Sequence, residues 1–256
     1  MNAIVAAGGR PAPKEPLYPY TKGNYKALLD IAGKPMIQWI LDALSGSTMI
    51  DAVIVTGLPL TTHLEFPRPI TLLESHHDIF QDIRSGVTRL QEMGILTEHT
   101  LLVSSDVPTI TPQIVDWLIT TVQQTDHDFY YPIVERSKME ARFPKSNRTY
   151  IHLKDMEVCG GDMIAIRSAV AFRDNPTWTR LVEARKSPIK QASLLGIDTL
   201  FFILFHLLTI EKAEVLLSKR LRLKGRALLV PYAEIGMDVD KPHQLEAVRE
   251  DFTKRK

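Results

Sequence analysis

The sequence predicts a three-layer α/β fold with a mainly parallel sheet. Short apolar runs alternate with stretches of helical spacing through the first half of the chain, which is typical of strands joined by crossover helices. The chain has 256 residues, of which 45% are hydrophobic and 24% charged, as in ordinary globular proteins. We therefore expect a single domain over residues 1–256, with a helical C-terminal region.

The predicted strands are short apolar runs, and most of them are followed by a polar residue or a turn signal. The predicted strands cover residues 4–7, 52–56, 70–73, 100–104, 129–133, 163–166 and 226–230. Apolar residues at helical spacing predict helices over 35–44, 79–90, 111–122 and 242–252, and mostly helical structure over 177–220. We expect residues 26–31 to be extended and the basic stretch 134–153 to form an irregular hairpin.

Residues 10–25 are predicted to form a long loop. The stretch contains Pro11, Pro13, Pro16 and Pro19, a density that neither a helix interior nor a central strand tolerates. Loops of more than about 12–15 residues in compact domains are usually functional or disordered. This loop follows the first strand directly.

The composition excludes several classes of function. Lys and Arg number 31 against 30 Asp and Glu, a formal net charge of +1, so no nucleic-acid or membrane partner is expected. The single cysteine, Cys159, excludes an intrachain disulfide and a multi-cysteine zinc site, and we expect a cytoplasmic protein. The longest apolar stretch, 194–210, is interrupted by polar residues and is predicted to be a buried or subunit-contact helix rather than a membrane span. The first nine residues lack the features of a signal peptide.

Candidate ligand-binding residues follow three predicted strands. In open α/β sheets ligands bind beyond the carboxyl ends of the strands, where Gly8-Gly9, Thr56-Gly57 and Asp106 are found. The glycine pair allows backbone N–H groups to approach a phosphate, although a plain turn explains it equally well. Asp106 suits either Mg²⁺ ligation or capping of the next helix. Asp240, before the last helix, has the same two interpretations, and its spacing from Pro242 favours the cap.

Two blocks near the start resemble the MobA-like NTP transferase branch of the nucleotidyltransferase superfamily. They are Ile4-Val-Ala-Ala-Gly-Gly-Arg10 and Lys26-Ala-Leu-Leu-Asp-Ile-Ala-Gly-Lys-Pro-Met-Ile37. Three later blocks, at 83–87, 103–108 and 238–245, are similar to further motifs of that family and occur in the same order.

This resemblance implies a Rossmann-like nucleotidyltransferase fold that binds a nucleoside triphosphate and Mg²⁺. An acceptor oxygen would attack the α-phosphorus, and pyrophosphate would leave. Lys26 would neutralise charge on the α-phosphoryl oxygens, and Arg10, or Lys14 in its place, would contact the leaving phosphates. Asp106 and Asp240 would hold the metal. The residues implied to bind the nucleotide are Ala6, Ala7, Gly8, Gly9, Thr56, Arg84 and Ser85.

The resemblance divides the chain into a nucleotide-binding half, 1–133, and an acceptor half, 134–256, with a helical insertion at about 177–220. A run of basic residues suggests a small anionic, phosphorylated acceptor, although a solvated basic face is equally plausible: Arg136, Lys138, Arg142, Lys145, Arg148 and Lys154. Gly161 and Asp162 are candidate acceptor-binding residues, while a strand-entry bulge would explain the glycines nearly as well. The apolar region 194–217 is predicted to form a homodimer contact or to cover the acceptor pocket.

Two other functions remain open at this point. A glycosyltransferase of related fold would use a nucleotide-sugar and a D-x-D metal motif, but Ser104 stands two positions before Asp106 and the block around Lys26 would be unexplained. A non-catalytic nucleotide-binding protein would not need both Lys26 and Asp106.

Overall fold

The chain folds around one large mixed sheet with helices on both faces. The structure, a computed structural model, describes residues 1–173 and 208–254. Its strands are β1 (Asn2–Ala6), β2 (Asp30–Ile31), β3 (Lys34–Pro35), β4 (Val53–Thr56), β5 (Ile70–Leu73), β6 (His99–Ser104), β7 (Phe129–Glu135), β8 (Ile151–His152), β9 (Glu157–Gly160), β10 (Met163–Arg167) and β11 (Gly225–Leu229). Its helices are α1 (Tyr18–Thr21), α2 (Met36–Gly46), α3 (Ile79–Glu92), α4 (Pro112–Gln123), α5 (Arg136–Arg142), α6 (Ile210–Leu221) and α7 (Pro242–Lys254).

Strand β1 lies between β4 and β6 and is parallel to both, with Ala6 opposite Thr56 and Ser104. Strand β5 continues the parallel side beyond β4. On the other side, β10 runs antiparallel between β6 and β7, and β11 pairs in parallel with β7. Strand β9 pairs with the end of β7, and β8 with β9. This topology confirms the predicted α/β class and brings the carboxyl ends of β1, β4 and β6 to one edge.

Alternate residues of the central strands face opposite sides of the sheet, as the pleat of a strand requires. On one side, Val5 and Val55 belong to a buried cluster with residues of α2, α4 and α7. On the other side, Ile4 and Ile54 pack with Val87 of α3. Burial of apolar surface on both faces therefore produces the predicted three layers.

Three local predictions were wrong. The proline-rich loop contains the short helix α1, where Pro19 stands in the first turn and its missing N–H costs no hydrogen bond. Residues Lys26–Leu28 form a 3₁₀ turn instead of an extended segment. The stretch predicted as an irregular hairpin begins with α5, whose single buried residue, Met139, gives no apolar period to read.

Of the predicted helical stretch 177–220, residues 177–207 lie outside the described residues. The last part of the stretch, from residue 210 onward, belongs to helix α6. The apolar region 194–217 is likewise mostly outside the described residues. Among the helices of the described ranges, none is both long and apolar enough to cross a membrane.

Candidate active site

The turn after β1 packs directly against the turn after β4. The N–H of Ala7 donates to the carbonyl of Thr56 at 2.8 Å, and Gly57 adopts a φ of +99°. A Cβ on Gly57 would lie 2.4 Å from both Cα and N of Gly8, a distance that real Cβ atoms do not reach. Gly57 is therefore required by the backbone, and it fixes Gly8 at the carboxyl edge of the sheet.

The loop that follows presents free backbone donors. The N–H groups of Gly8, Gly9 and Arg10 make no hydrogen bond to any residue in 1–173 or 208–254, and all three residues are exposed. Successive unpaired N–H groups in a turn suit an anion such as a phosphate. The carbonyl of Gly9 accepts the N–H of Lys26 at 2.8 Å, so the far end of the proline-rich loop returns to this turn.

Arg10 lies beside the lysine segment. Its guanidinium carbon is 3.9 Å from the centroid of the Tyr25 ring, a cation–π contact, and Tyr25 directly precedes Lys26. Lys14 is exposed and forms no ion pair with the described residues. Arg10 and Lys14 are the two candidates for contacting the leaving phosphates. Arg10 is the one that lies beside the segment containing Lys26.

The ammonium of Lys26 lies between two carboxylates from distant parts of the chain. Its Nζ is 2.5 Å from Asp106 Oδ2 and 2.6 Å from Asp240 Oδ1. Asp106 follows β6, whereas Asp240 precedes α7, and the N–H of Val239 joins these segments by donating to the Asp106 carbonyl at 2.9 Å. The structure thus brings together three of the residues predicted from the sequence.

The environment of Lys26 keeps it charged. Burial by itself would lower the pKa of Lys26, but Asp106 and Asp240 outweigh burial, and the pKa is raised above its usual value. The side chains of Lys26 and Asp106 are 16% and 12% exposed, whereas that of Asp240 is 58% exposed. The cluster is therefore open to solvent on the Asp240 side.

Asp106 and Asp240 fit a magnesium site of the kind that a nucleotide completes. The Oδ1 atom of Asp106 is buried and forms no hydrogen bond with the described residues. No three Asp, Glu, His or Cys side chains within 1–173 and 208–254 form a metal site by themselves. Mg²⁺ commonly takes only one or two protein carboxylates and completes its shell with phosphate oxygens and water.

Hydrogen bonds at the beginning of α7 are relevant to whether Asp240 caps this helix or binds a metal. The side-chain Oε1 of Gln244 accepts the N–H of Asp240 at 3.0 Å and that of Lys241 at 2.8 Å. A side chain inside the helix thus satisfies these two backbone donors. The carboxylate of Asp240 contacts Lys26 beside Asp106, so the two carboxylates predicted to hold a metal share one cation.

A bulge carries Asp162 to the same edge of the sheet. Between β9 and β10, Gly161 N–H donates to the carbonyl of Pro132 at 2.9 Å and Asp162 N–H to that of Ile235 at 3.0 Å. The Asp162 carbonyl accepts the N–H of Ser104, at the end of β6, at 2.9 Å. The same bulge therefore accounts for the glycines and places the carboxyl group of Asp162 at this edge of the sheet.

The carboxyl group of Asp162 interacts with the lysine cluster. Its pKa is raised to about 7, first by desolvation and then by the charges of Asp106 and Asp240, against the opposing effects of Arg148 and Lys26. Its Oδ2 atom is buried, forms no hydrogen bond with the described residues, and lies 4.0 Å from Nη2 of Arg148. Asp162 is thus a third carboxylate at this edge.

Arg148 joins two segments of the candidate site in a way that the sequence did not indicate. Its guanidinium donates to Asp238 and, at 3.2 Å, to the carbonyl of Gly160. It therefore links the bulge before β10 to the segment that carries Asp240. The only sequence signal was its positive charge, because Asp238 lies far along the chain.

Half of the basic run predicted to attract an anion is already paired. Arg136 contacts Glu140 and Glu157, and Arg142 contacts Glu234 and Asp251. Arg148 pairs with Asp238, as described above. The other three members of the run form no ion pair with the described residues: Lys138, Lys145 and Lys154. The charge available to an acceptor is therefore smaller than the sequence indicates.

The other residues implied to bind the nucleotide lie at the ends of β1 and β4 and in the first half of α3. Thr56 is buried at the end of β4, and its hydroxyl has no partner among the described residues. Ser85 Oγ lies 3.5 Å from Nδ1 of His76, and the guanidinium of Arg84 lies over the ring of Phe172. Ala6 ends β1 between Thr56 and Ser104, as described above.

A polar network beside the glycine turn was missed by the sequence reasoning. The buried carboxylate of Asp82 accepts from Ser75 Oγ at 2.8 Å and from the N–H of His76 at 2.7 Å. Ser75 Oγ also accepts the N–H of His77, and it would lie 3.5 Å from a Cβ on Gly8. The acidic residue one turn into α3, after Ser-His-His, was the available signal.

Comparison with solved structures places this architecture among transferases. A hypothetical transferase from Thermus thermophilus is 28% identical with a TM-score of 0.80, covering 95% of this chain and 98% of its own. CMP:2-keto-3-deoxy-manno-octonic acid synthetase, solved with CTP, is 15% identical with a TM-score of 0.58, covering 100% of this chain and 99% of its own. The 4-diphosphocytidyl-2C-methyl-D-erythritol synthase from Anaerococcus prevotii is 11% identical with a TM-score of 0.55, covering 98% of this chain and 97% of its own. The last two likenesses show the fold alone.

A comparison with curated proteins found no match. The family model of the MobA-like NTP transferase domain matches residues 3–185, which include the glycine turn, Lys26, Asp106 and Asp162. The chain is therefore a nucleotidyltransferase-type enzyme that belongs to the MobA-like NTP transferase domain family.

Proposed function

We propose that this protein transfers a nucleoside monophosphate group from a nucleoside triphosphate to a small acceptor, with Mg²⁺, and releases pyrophosphate. The observation that carries the proposal is the position of Lys26 Nζ, 2.5 Å and 2.6 Å from two carboxylates, on a segment hydrogen-bonded to a turn with free N–H groups. Phosphoryl-type transfer depends mainly on positioning and charge neutralisation, which such an arrangement supplies.

The nucleotide half, 1–133, would hold the triphosphate through backbone groups. The N–H groups of Gly8, Gly9 and Arg10 are free to donate to phosphate oxygens. The guanidinium of Arg10 would neutralise the β- and γ-phosphates as they leave, and Lys26 would do the same for charge on the α-phosphoryl oxygens. Base recognition would fall to the residues near the start of α3 and the ends of the strands: Ala6, Ala7, Thr56, Arg84 and Ser85.

Asp106 and Asp240 would hold the metal, with Asp106 Oδ1 available for a further contact. Bound Mg²⁺ would neutralise phosphate charge and polarise the α-phosphoryl group. Removal of one charge-stabilising group from such a site typically costs on the order of 10²–10³ in rate.

The acceptor half, 134–256, would offer Gly161 and Asp162 to a small anionic acceptor. Support for a phosphorylated acceptor now comes from Lys138, Lys145 and Lys154, because the three arginines of the run are engaged with carboxylates. We also propose a homodimer through the apolar region 194–217. Light scattering that gives a strict monomer would remove that part of the proposal.

Thermal-shift titration with ATP, GTP, CTP and UTP plus Mg²⁺ tests nucleotide binding directly. A ligand at 100 times its Kd stabilises the folded state by about 2.7 kcal/mol. At least one triphosphate should stabilise the protein, and Asp106→Ala should lose the Mg²⁺-dependent part. Asp42→Ala is the matched control, because Asp42 pairs with Lys34 on the surface of α2.

Three outcomes would contradict the proposal. If Asp106→Ala kept the full Mg²⁺-dependent shift, the metal assignment would be wrong. Stabilisation by nucleotide-sugars but by no triphosphate would favour the glycosyltransferase alternative. A triphosphate that binds but releases no pyrophosphate with any of a panel of phosphorylated acceptors would favour a non-catalytic nucleotide-binding protein.

A further inference from the structure

The ammonium of Lys26 takes the position that a cation shared by the two carboxylates would need. A single nitrogen atom lies 2.5 Å from Asp106 Oδ2 and 2.6 Å from Asp240 Oδ1. A magnesium ion bound to the same two oxygens would sit about 2.0–2.1 Å from each. The ammonium and the ion therefore exclude each other, both by volume and by like charge.

We propose that Lys26 keeps divalent cations out of this site until a triphosphate is present, so that metal and nucleotide enter together. This inference rests on the proposed function and concerns the regulation of the same site. It assigns Lys26 a role in the nucleotide-free protein in addition to its role towards the α-phosphate.

The cost of moving Lys26 explains why the site stays closed without nucleotide. If a divalent ion displaced the ammonium in the absence of nucleotide, the Lys26 side chain, which is only 16% exposed, would lose both of its carboxylate partners. An unpaired buried charge is strongly destabilising.

The position of the Lys26 backbone explains why a triphosphate would open the site. The N–H of Lys26 donates to the carbonyl of Gly9, next to the free donors of Gly8 and Arg10. Phosphate oxygens bound to those donors would offer the ammonium new anionic partners within reach of its flexible four-carbon stem. Lys26 could then leave the carboxylates without becoming unpaired.

Binding of Mn²⁺, followed by the electron paramagnetic resonance signal of the free ion, tests this inference without turnover. In the absence of nucleotide, Lys26→Met should bind Mn²⁺ at least about tenfold more tightly than the wild type. Lys26→Arg, which keeps the positive charge, should bind it as weakly as the wild type. Lys34→Met is the matched control, because Lys34 pairs with an exposed carboxylate, Asp42, on the surface.

Addition of the four α,β-methylene nucleoside triphosphates provides the second arm, with each analogue also titrated without protein to measure the Mn²⁺ that it binds by itself. After this correction, at least one of them should raise the affinity of the wild type for Mn²⁺ by about tenfold or more. The inference is overturned if Lys26→Met binds Mn²⁺ no more tightly than the nucleotide-free wild type. Lys26→Gln replaces Lys26→Met if the latter does not fold. If no analogue binds to the wild type, the proposed function fails, while the metal-only comparison still decides the role of Lys26.

Discussion

At position 57 the conformation and packing of the backbone leave room only for glycine. Its φ of +99° is unfavourable for any residue with a Cβ, and a Cβ would lie 2.4 Å from the backbone of Gly8. Gly94 has a φ of +69° but no atom within 4 Å of the position of its Cβ. A side chain at Gly94 would therefore cost only the unfavourable backbone conformation, whereas a side chain at Gly57 would also collide with the backbone of Gly8.

We predict that Gly57→Ala destabilises the protein by about 3 kcal/mol or more, whereas Gly94→Ala costs only about 1–2 kcal/mol, the usual cost of a left-handed residue. Urea unfolding followed by circular dichroism measures both. Because the substitution displaces Gly8, nucleotide binding should weaken in Gly57→Ala alone. Equal costs for the two variants would show that the β1 and β4 turns are not in close contact.

Asp162 should give the protein a pH-dependent stability. Its carboxyl pKa is raised to about 7 in the folded protein, against about 3.8 in the unfolded chain. The folded state therefore binds more protons between these values, and wild-type stability should fall as the pH rises from 4 to 7, relative to Asp162→Asn. Unfolding curves in EDTA across this range measure the difference.

Asp155→Asn is the control for that experiment, because Asp155 is exposed in the turn between β8 and β9. Its stability should run parallel to that of the wild type at every pH. A constant difference between the wild type and Asp162→Asn would mean that the Asp162 carboxyl titrates as an ordinary exposed group.

At the scale of elements, Arg148 connects three segments that are far apart in the chain. It follows α5, donates to the end of β9 at Gly160, and pairs with Asp238 ahead of α7. Both charged side chains are largely buried, at 15% and 13% exposure. Their attraction is therefore poorly screened by water, and removal of one partner leaves the other as an unpaired buried charge.

We predict that Arg148→Met destabilises the protein by about 3–5 kcal/mol, the range for a broken buried ion pair. Arg136→Met, which removes an exposed arginine paired with Glu140 and Glu157, should cost about 0–1 kcal/mol. Chemical denaturation measures both. Addition of Asp238→Asn to Arg148→Met should recover part of the loss, and strictly additive effects would contradict the pairing.

The sequence predicted those elements whose residues carry their own periodicity. Strands β1, β4, β5 and β6 are apolar runs between turns, and α2, α3 and α4 show a clear apolar stripe, so their pattern follows from burial. Helix α5 was missed because it buries only Met139, and α1 because its proline stands in the one turn that tolerates it. In both cases tertiary contacts, and not local pattern, decide the structure.

At the scale of the whole molecule, charge is distributed unevenly. The net charge of the chain is only +1. The surroundings of Lys26, in contrast, contain three carboxylates, Asp106, Asp238 and Asp240, together with Asp162, whose pKa is raised to about 7, against the two cations Lys26 and Arg148. A triphosphate without a metal therefore meets net negative charge where its α-phosphate would lie.

We predict that the affinity for the preferred triphosphate falls at least about tenfold when EDTA replaces Mg²⁺ in a calorimetric titration. Asp240→Asn should narrow this difference, because it removes a proposed metal ligand and one negative charge together. Asp51→Asn is the control, since Asp51 pairs with the chain N-terminus ahead of β4, at the opposite edge of the sheet. An affinity that is unchanged by EDTA would contradict this electrostatic account.

The candidate site was predictable where its residues stand in local sequence motifs, and not where residues far apart in the chain pair with one another. Lys26, Asp106 and Asp240 stand in recognisable blocks of sequence, and the structure brings them together. The pairing of Arg148 with Asp238 joins residues whose separation along the chain is 90, and no local pattern encodes it. The partners of the basic run were hidden for the same reason.

The reversed direction of β10 has a consequence for how such proteins diversify. Because β10 is antiparallel to β6, its first residues meet the last residues of β6, and the bulge at Gly161 decides which side chain is delivered there. Successive residues of a strand point to opposite faces, so insertion or deletion of a single residue in that bulge would replace the carboxylate with its neighbour. If Asp162 binds the acceptor as proposed, such a change would alter the second substrate while β1, β4 and their glycine turns stay untouched.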